Sequence, residues 1–315
     1  MLSMYRKICT ITSLLIVLIP TSFIMAGEIG LLPVPLFKEA KIQAQVVYDR
    51  RDEIYTYNYT LTNPATNTGK IWAIAVDISQ PPDGIILSSE GLITPRGGEM
   101  VTFEELLPKR LEFAPMVPVG MRSPYGWSGG LSVAGTSRFS SIDAPEILPG
   151  ETLGGFEILS YGLPAIREVI IEPWWIYVEP EGLTFEEVQR EDKRAREIEA
   201  SLQFHTKTHG PTAPPLDFKP LEFLNYIISL KHEAFTLGWI KNAGIENSLD
   251  KKLDSARKSL ERGSATSAKN ILSAFINEVE AQGCATYNDC PAGKHLTPEA
   301  WALLKYNIEY LLERL

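Results

Sequence analysis

The sequence contains little cysteine or histidine, and its acidic residues outnumber its basic ones. Three cysteines and four histidines occur among 315 residues. Cys9 lies in the N-terminal apolar segment, so Cys284 and Cys290 are the pair left in the rest of the chain, and no cysteine pair can staple the strand-rich half. The formal net charge of −9 would repel a phosphate backbone, so we expect no nucleic-acid partner.

The N-terminus has the layout of a secretory signal peptide. Arg6 and Lys7 precede the apolar run "ICTITSLLIVLIPTSFIMA", which Pro20 interrupts and Ala26 ends. We predict cleavage after residue 26, with retention as a membrane anchor as the alternative, because Ile24 is larger than the residue preferred near a cleavage site. We therefore expect a secreted or cell-envelope protein without a membrane contact after signal removal.

Residues 27–182 are predicted to form a domain of strands, because apolar and polar residues alternate with a period near two from Lys41 to about Glu181. In "IYTYNYTLT" the tyrosines fall on one face and the polar residues on the other, as in a strand with one buried side. Further strands are predicted in "EMVTFEEL" (99–106), "GGFEILSYG" and "REVIIEPWWIYVE", where Pro173 indicates an edge or a bulge. Strands without intervening helices predict an antiparallel β-sandwich of Ig-like type.

After residue 182, the spacing of apolar residues changes from that of strands to that of helices. Residues 183–220 are predicted to form a charged helix, which Thr184 and Glu187 open with capping-box spacing, and then a Pro-rich linker that leaves His205 and His209 in solvent. Residues 221–315 are predicted to form an all-helical bundle. The fold class expected is therefore a multidomain chain, with a β-sandwich followed by helices.

Residues 249–315 resemble a known helical family. The segments "LDKKLDSARKSLERG", "AFINEVEAQ" and "GKHLTPEAWALLKYNIEYLL" are similar to the FIMAH domain. The resemblance implies a non-catalytic helical module of the sort found in bacterial secreted and surface multidomain proteins, including adhesins and hydrolases. The insert "CATYNDCPA" departs from the family pattern. The segments "SPYGW" and "ILPGETLGGFEILSYGLP" also look like a pattern of secreted bacterial sandwich domains.

The stretch "PYGWSGG" contains Gly126-x-Ser128-x-Gly130, the spacing of a nucleophile elbow. That motif needs a helix directly after the serine, and the residues that follow have no helical periodicity. The spacing therefore indicates a chance match. We predict instead that Trp127 anchors the core and that Ser128 points outward.

Two residue pairs are candidates for specific roles. Cys284 and Cys290 are predicted to form a disulfide, because an exported protein meets an oxidising compartment; a zinc site that includes His295 is the alternative. Trp174 and Trp175 are candidate ligand-stacking residues, since neighbours in a strand point to opposite faces. No cofactor, metal or catalytic residue is predicted.

These features favour a secreted or surface non-enzymatic protein for binding or adhesion. Its partner is open, with an extracellular glycan or a surface protein as the candidates. Two alternatives stand beside this hypothesis. One is a secreted hydrolase that uses Ser128 or an unrecognised pair of carboxylates, and the other is an envelope protein that associates with itself.

Overall fold

The computed structural model describes residues 34–78, 85–87, 93–95, 119–131, 136–142, 146–175, 182–215 and 217–315. Its strands are β1 (Lys41–Asp49), β2 (Ile54–Thr62), β3 (Ile71–Asp77), β4 (Ile85–Leu87), β5 (Ile93–Pro95), β6 (Gly120–Arg122), β7 (Trp127–Leu131), β8 (Thr136–Ser141), β9 (Thr152–Ser160), β10 (Leu163–Pro173) and β11 (Phe204–Thr212). Its helices are α1 (Phe185–Leu202), α2 (Pro220–Thr236), α3 (Ala243–Glu261), α4 (Ala265–Gln282) and α5 (Pro298–Arg314). The signal peptide predicted at 1–26 and the strand predicted within 99–106 lie outside the described residues.

The first sheet has four antiparallel strands in the order β1-β2-β9-β6. On β2, Tyr55, Tyr57 and Tyr59 are buried, whereas the residues between them are partly exposed. This alternation confirms that the tyrosine face belongs to the core. The hydroxyl groups of the two fully buried tyrosines are hydrogen-bonded. Tyr57 donates to the Gly162 carbonyl at 2.7 Å, and Tyr59 donates to the His209 carbonyl at 2.9 Å.

The second sheet has five antiparallel strands in the order β11-β10-β3-β8-β7, and β4 pairs with β5 separately. The two larger sheets contact each other through aromatic side chains, among them Phe139 of β8 and Phe156 of β9, whose ring centroids are 5.5 Å apart. The register of β10 against β3 shifts between Glu172 and Pro173. Of the two alternatives predicted for Pro173, the bulge is therefore confirmed, and β10 is not an edge strand because it lies between β11 and β3.

The segment predicted as a Pro-rich linker is partly a strand, which corrects the sequence-based interpretation. Phe204–Thr212 forms β11 and pairs antiparallel with β10 along its length. Gly210 makes this pairing sterically feasible, because a Cβ at that position would lie 2.8 Å from the Arg167 Cγ. The prolines that indicated a linker thus lie at the end of β11 and in the segment that follows it.

The helices follow the predicted pattern. Thr184 and Glu187 form a capping box at the start of α1, and Thr297 caps α5 with Pro298 in its first turn. Helices α3 and α4 bury the apolar stripes seen in the sequence, including Leu249, Leu253, Ala256, Leu272, Phe275 and Val279. The hydrophobic core runs without a break from the sheets into these helices.

Polar contacts fix the helices to the sheets at what we call the sheet–helix junction, formed by Glu299, Tyr306 and Asn307 of α5 with β1 and β10. The buried Glu299 carboxylate accepts the Ala44 N–H at 2.9 Å. The Tyr306 hydroxyl donates to the Val46 carbonyl, and Asn307 Nδ2 donates to the Pro164 carbonyl at 2.8 Å. Because β1 lies at one end of the first sheet, α5 covers backbone groups that would otherwise face outward.

Within the described ranges, none of the helices combines the length and the apolar composition that crossing a lipid bilayer requires.

Candidate functional site

The GxSxG stretch forms a strand. Ser128 lies on β7, opposite Ser140 of β8, and is exposed. Trp127 beside it is buried against Phe156, with 5.0 Å between the ring centroids. Gly126 has a φ of 77° and completes a turn in which the Trp127 N–H donates to the Pro124 carbonyl. The predicted positions of Trp127 and Ser128 are confirmed, and the serine does not occupy a strand-to-helix elbow.

Cys284 and Cys290 form the predicted disulfide. The loop between them carries Tyr287, whose hydroxyl group donates to the Glu299 carboxylate. Burial, together with the nearby Glu299 charge, raises the pKa of Tyr287. The loop therefore supplies a second hydrogen-bond donor to the same carboxylate that accepts the Ala44 N–H.

Trp174 and Trp175 directly follow β10 and are both partly buried. The Trp174 N–H donates to the Lys70 carbonyl at 2.7 Å, which continues the contact between β10 and the start of β3.

The two linker histidines occupy different environments, and the prediction that both are solvated is wrong for one of them. His205 is exposed, whereas His209 is fully buried on β11 against the Trp239 ring, with 5.0 Å between the centroids. Neither ring nitrogen of His209 makes a well-aligned hydrogen bond within the described residues. Burial lowers the pKa of His209 to about 3. The Glu299 backbone raises this pKa, but by less than burial lowers it. The side chain is therefore neutral at physiological pH.

A cluster of His232, Glu246 and Asp250 has ligand atoms within 4.8 Å of one another, the spacing of a metal site. The fully buried Lys231 inserts its ammonium group between the two carboxylates and bonds to both of them. The Lys231 ammonium group thus already neutralises the charge of the two carboxylates, in the place where a metal ion would otherwise bind. We interpret the cluster as a bond between α2 and α3.

An opening lies between the end of β11 and the start of α2. We call it the Tyr226 cleft; its lining residues are Thr212, Ala213, Pro215, Asp217, Lys219, Glu222, Phe223 and Tyr226. Its volume is about 290 Å³. Ala213 and Pro215, which follow β11, line one wall of the cleft. The helix α2 begins further along the chain, with Pro220 in its first turn.

Aromatic side chains form the floor of the cleft. Phe223 is buried and packs against Phe218 and Tyr310, with ring centroids 5.5 and 5.3 Å away. Tyr226 lies one helical turn further along α2. The pKa of its phenol is raised, because the effect of burial is larger than the lowering effect of the nearby Arg167. Arg167 is itself fixed behind the floor, because its Nε and Nη2 donate to the Pro211 carbonyl at 3.1 and 2.9 Å. The floor is therefore rigid and neutral.

Charged side chains form the rim. Lys219 Nζ lies 3.6 Å from the Asp217 carboxylate and 3.2 Å from that of Glu222. These three side chains are 55%, 86% and 69% exposed, respectively. Ion pairs this exposed contribute on the order of 0–1 kcal/mol, so a ligand can rearrange them at little cost.

Sequence reasoning missed this cleft because its residues come from a segment predicted to be a linker and from a helix predicted only as part of a bundle. One signal was present: Phe223 and Tyr226, spaced three apart on α2, share a helical face with Lys219 and Glu222 nearby. A scan against models of known protein families matches nothing in this chain, and a search of curated proteins finds no significantly similar sequence.

Proposed function

We propose that this chain is an exported, non-enzymatic binding protein and that the Tyr226 cleft is its ligand site. The cleft itself carries the proposal, because it combines a rigid aromatic floor with exposed polar groups that are free to reorganise around a ligand. The signal-like segment at residues 1–26 supports the proposed export.

The placement of the chemically reactive groups favours binding over catalysis. Ser128 lies on a strand that pairs with β8, without the turn into a helix that exposes a nucleophilic serine. Asp217 and Glu222 are the carboxylates of the cleft, and a glycosidase acid needs an apolar surrounding that largely exposed side chains lack. His209 and Glu299 are buried where a substrate would have to displace core contacts.

We propose an Ig-like sandwich for the two larger sheets and a FIMAH-like module for residues 249–315. The contacts between the aromatic faces of the two sheets support the first proposal. The second is supported by α3, α4 and α5, whose apolar stripes are buried. On this interpretation the helical module supports the wall of the cleft instead of forming a separate site, because Tyr310 of α5 contacts the floor residue Phe223.

The test uses protein exported by a bacterial host. Its mass gives the N-terminus, which we expect at Gly27, and TROSY spectra recorded with a panel of small neutral, charged and apolar compounds locate the binding site. We expect the shifted amide signals to cluster within residues 212–226. Shifts confined to Trp174 and Trp175 would move the site to the alternative surface, and fluorophosphonate labelling that is lost in Ser128→Ala would overturn the non-enzymatic assignment.

A further inference from the structure

We propose that the Tyr226 cleft binds a neutral, hydroxyl-rich ligand of the saccharide class, one pyranose ring at a time. This inference rests on the proposed function, since it names the chemical class of ligand for the same site. The charge of the rim, its hydrogen-bonding groups and the size and surface of the cleft each restrict the ligand in a different way.

The charges of the rim disfavour ions of either sign. Asp217 and Glu222 repel an anionic ligand at the mouth of the cleft, and Lys219 between them repels a cationic one. The rim has two carboxylates and one ammonium group, so an anionic ligand meets net repulsion and a cationic one must displace Lys219 from the carboxylates, whereas a neutral ligand can bond to all three groups. The arrangement therefore selects for a ligand without formal charge.

The hydrogen-bonding groups of the rim match vicinal hydroxyl groups. Each sugar hydroxyl donates one hydrogen bond and accepts others, so a pair of them needs acceptors and donors side by side. Asp217 and Glu222 provide carboxylate acceptors, and Lys219 provides an ammonium donor within 3.6 Å of both. Hydrogen bonds to ionised groups are the stronger kind, so they offset the loss of sugar hydration most effectively.

The floor and the volume suit a single ring. Ala213, Pro215, Phe223 and Tyr226 offer an apolar surface for the C–H groups of a pyranose. A volume of about 290 Å³ lies at the lower end of the range for small-molecule pockets, which favours one sugar ring over an extended lipid chain.

The experiment titrates the exported protein with probes that differ in one property. Methyl glucoside, methyl mannoside, methyl galactoside and methyl N-acetylglucosaminide are the neutral sugars; glucuronate and glucosamine carry charges on a similar ring, and cyclohexanol has the ring shape with one hydroxyl. We expect at least one neutral sugar to shift the amide signals of residues 212–226, with an affinity at least threefold higher than that of either charged sugar or of cyclohexanol.

Exposed variants test whether the rim makes the contacts. Glu222→Gln and Asp217→Asn should each weaken binding of the neutral sugar about threefold to tenfold. Asp254→Asn is the matched control, because Asp254 and Arg257 form a similar exposed ion pair three residues apart on α3, far along the chain from the cleft. The control should leave the affinity unchanged.

The outcomes separate the two proposals. If glucuronate, glucosamine or cyclohexanol shifts the cleft signals and binds at least as tightly as every neutral sugar, the saccharide inference is wrong and the binding site remains. If none of the probes shifts residues 212–226, the inference and the proposed function fail together. If Glu222→Gln and Asp217→Asn leave the affinity for the neutral sugar unchanged, the rim carboxylates do not contact the ligand, and that part of the inference is overturned.

Discussion

The sheet–helix junction and the Tyr226 cleft use similar side chains for opposite purposes. At the junction, the Glu299 carboxylate is 2% exposed and accepts hydrogen bonds from Ala44 and Tyr287. In the cleft, the Asp217 and Glu222 carboxylates are mostly exposed, and both pair with the same exposed residue, Lys219.

Burial decides which purpose a carboxylate serves. A buried acceptor that loses its donors, or a buried donor that loses its acceptor, costs far more free energy than the intact bond contributes, so such groups hold a structure together. An exposed carboxylate exchanges its partner for water or ligand at little cost. We therefore expect substitutions at the junction to change stability and substitutions at the cleft to change binding.

The largest effect is expected from Glu299→Ala. The Ala44 N–H and the Tyr287 hydroxyl would both lose their acceptor, and each buried donor left unpaired costs roughly 1–3 kcal/mol. We expect the free energy of unfolding, measured by urea denaturation, to fall by about 4 kcal/mol. Glu299→Gln keeps one acceptor oxygen and should lose clearly less, so equal losses in the two variants would contradict this account.

Acid should weaken the region beside the junction through His209. The unfolded histidine binds a proton near pH 6.5, whereas the folded one does so only near pH 3, so stability is present above pH 6.5 and is lost as the pH falls. Between pH 6 and 4, the free energy of unfolding should fall by about 2.5 kcal/mol more in the wild type than in His209→Phe. Parallel pH profiles for the two proteins would show that His209 does not titrate in this way.

Removal of the disulfide should have a smaller effect on the same junction. Cys284 and Cys290 close a short loop that holds Tyr287 against Glu299, and the chain-entropy estimate for such a loop is about 2 kcal/mol. Reduction, or Cys284→Ser with Cys290→Ser, should lower the unfolding free energy by about that amount. Unchanged unfolding in dithiothreitol would mean that the loop holds Tyr287 in place without the disulfide.

The smallest effect on stability is expected at the cleft. Asp217→Asn and Glu222→Gln should each change the free energy of unfolding by less than about 0.5 kcal/mol, because their ion pairs are exposed. The same urea titration used for Glu299→Ala measures this. A loss above about 1 kcal/mol would remove the contrast between the two regions.

Local signals in the sequence were sufficient for much of the fold. The tyrosine alternation of β2 predicted the buried face, Pro173 predicted the bulge, and Thr184 with Glu187 predicted the start of α1. Each of these signals operates over a few residues, through side-chain periodicity or a missing backbone donor. The disulfide was predictable because one pair of cysteines remained beyond the signal segment.

The features that the sequence did not reveal depend on contacts between distant segments. β11 looks like a linker because glycine and proline end it, and pairing with β10 makes it a strand. Glu299 looks like an ordinary acidic residue in the first turn of a helix, yet its bonding partner is Ala44, 255 positions away. The cleft is hidden for the same reason, since its two walls meet only after β11 has joined the second sheet.

The bond between Glu299 and Ala44 has a consequence for the newly made chain. β1 is synthesised well before α5, the helix that covers its outer edge, because the bonded residues Ala44 and Glu299 are 255 positions apart. Until α5 arrives, the backbone donors and acceptors of that edge can pair with a strand of another molecule. The turns of α5 therefore do more than complete a bundle: once they cover β1, a strand of another chain can no longer pair with that edge.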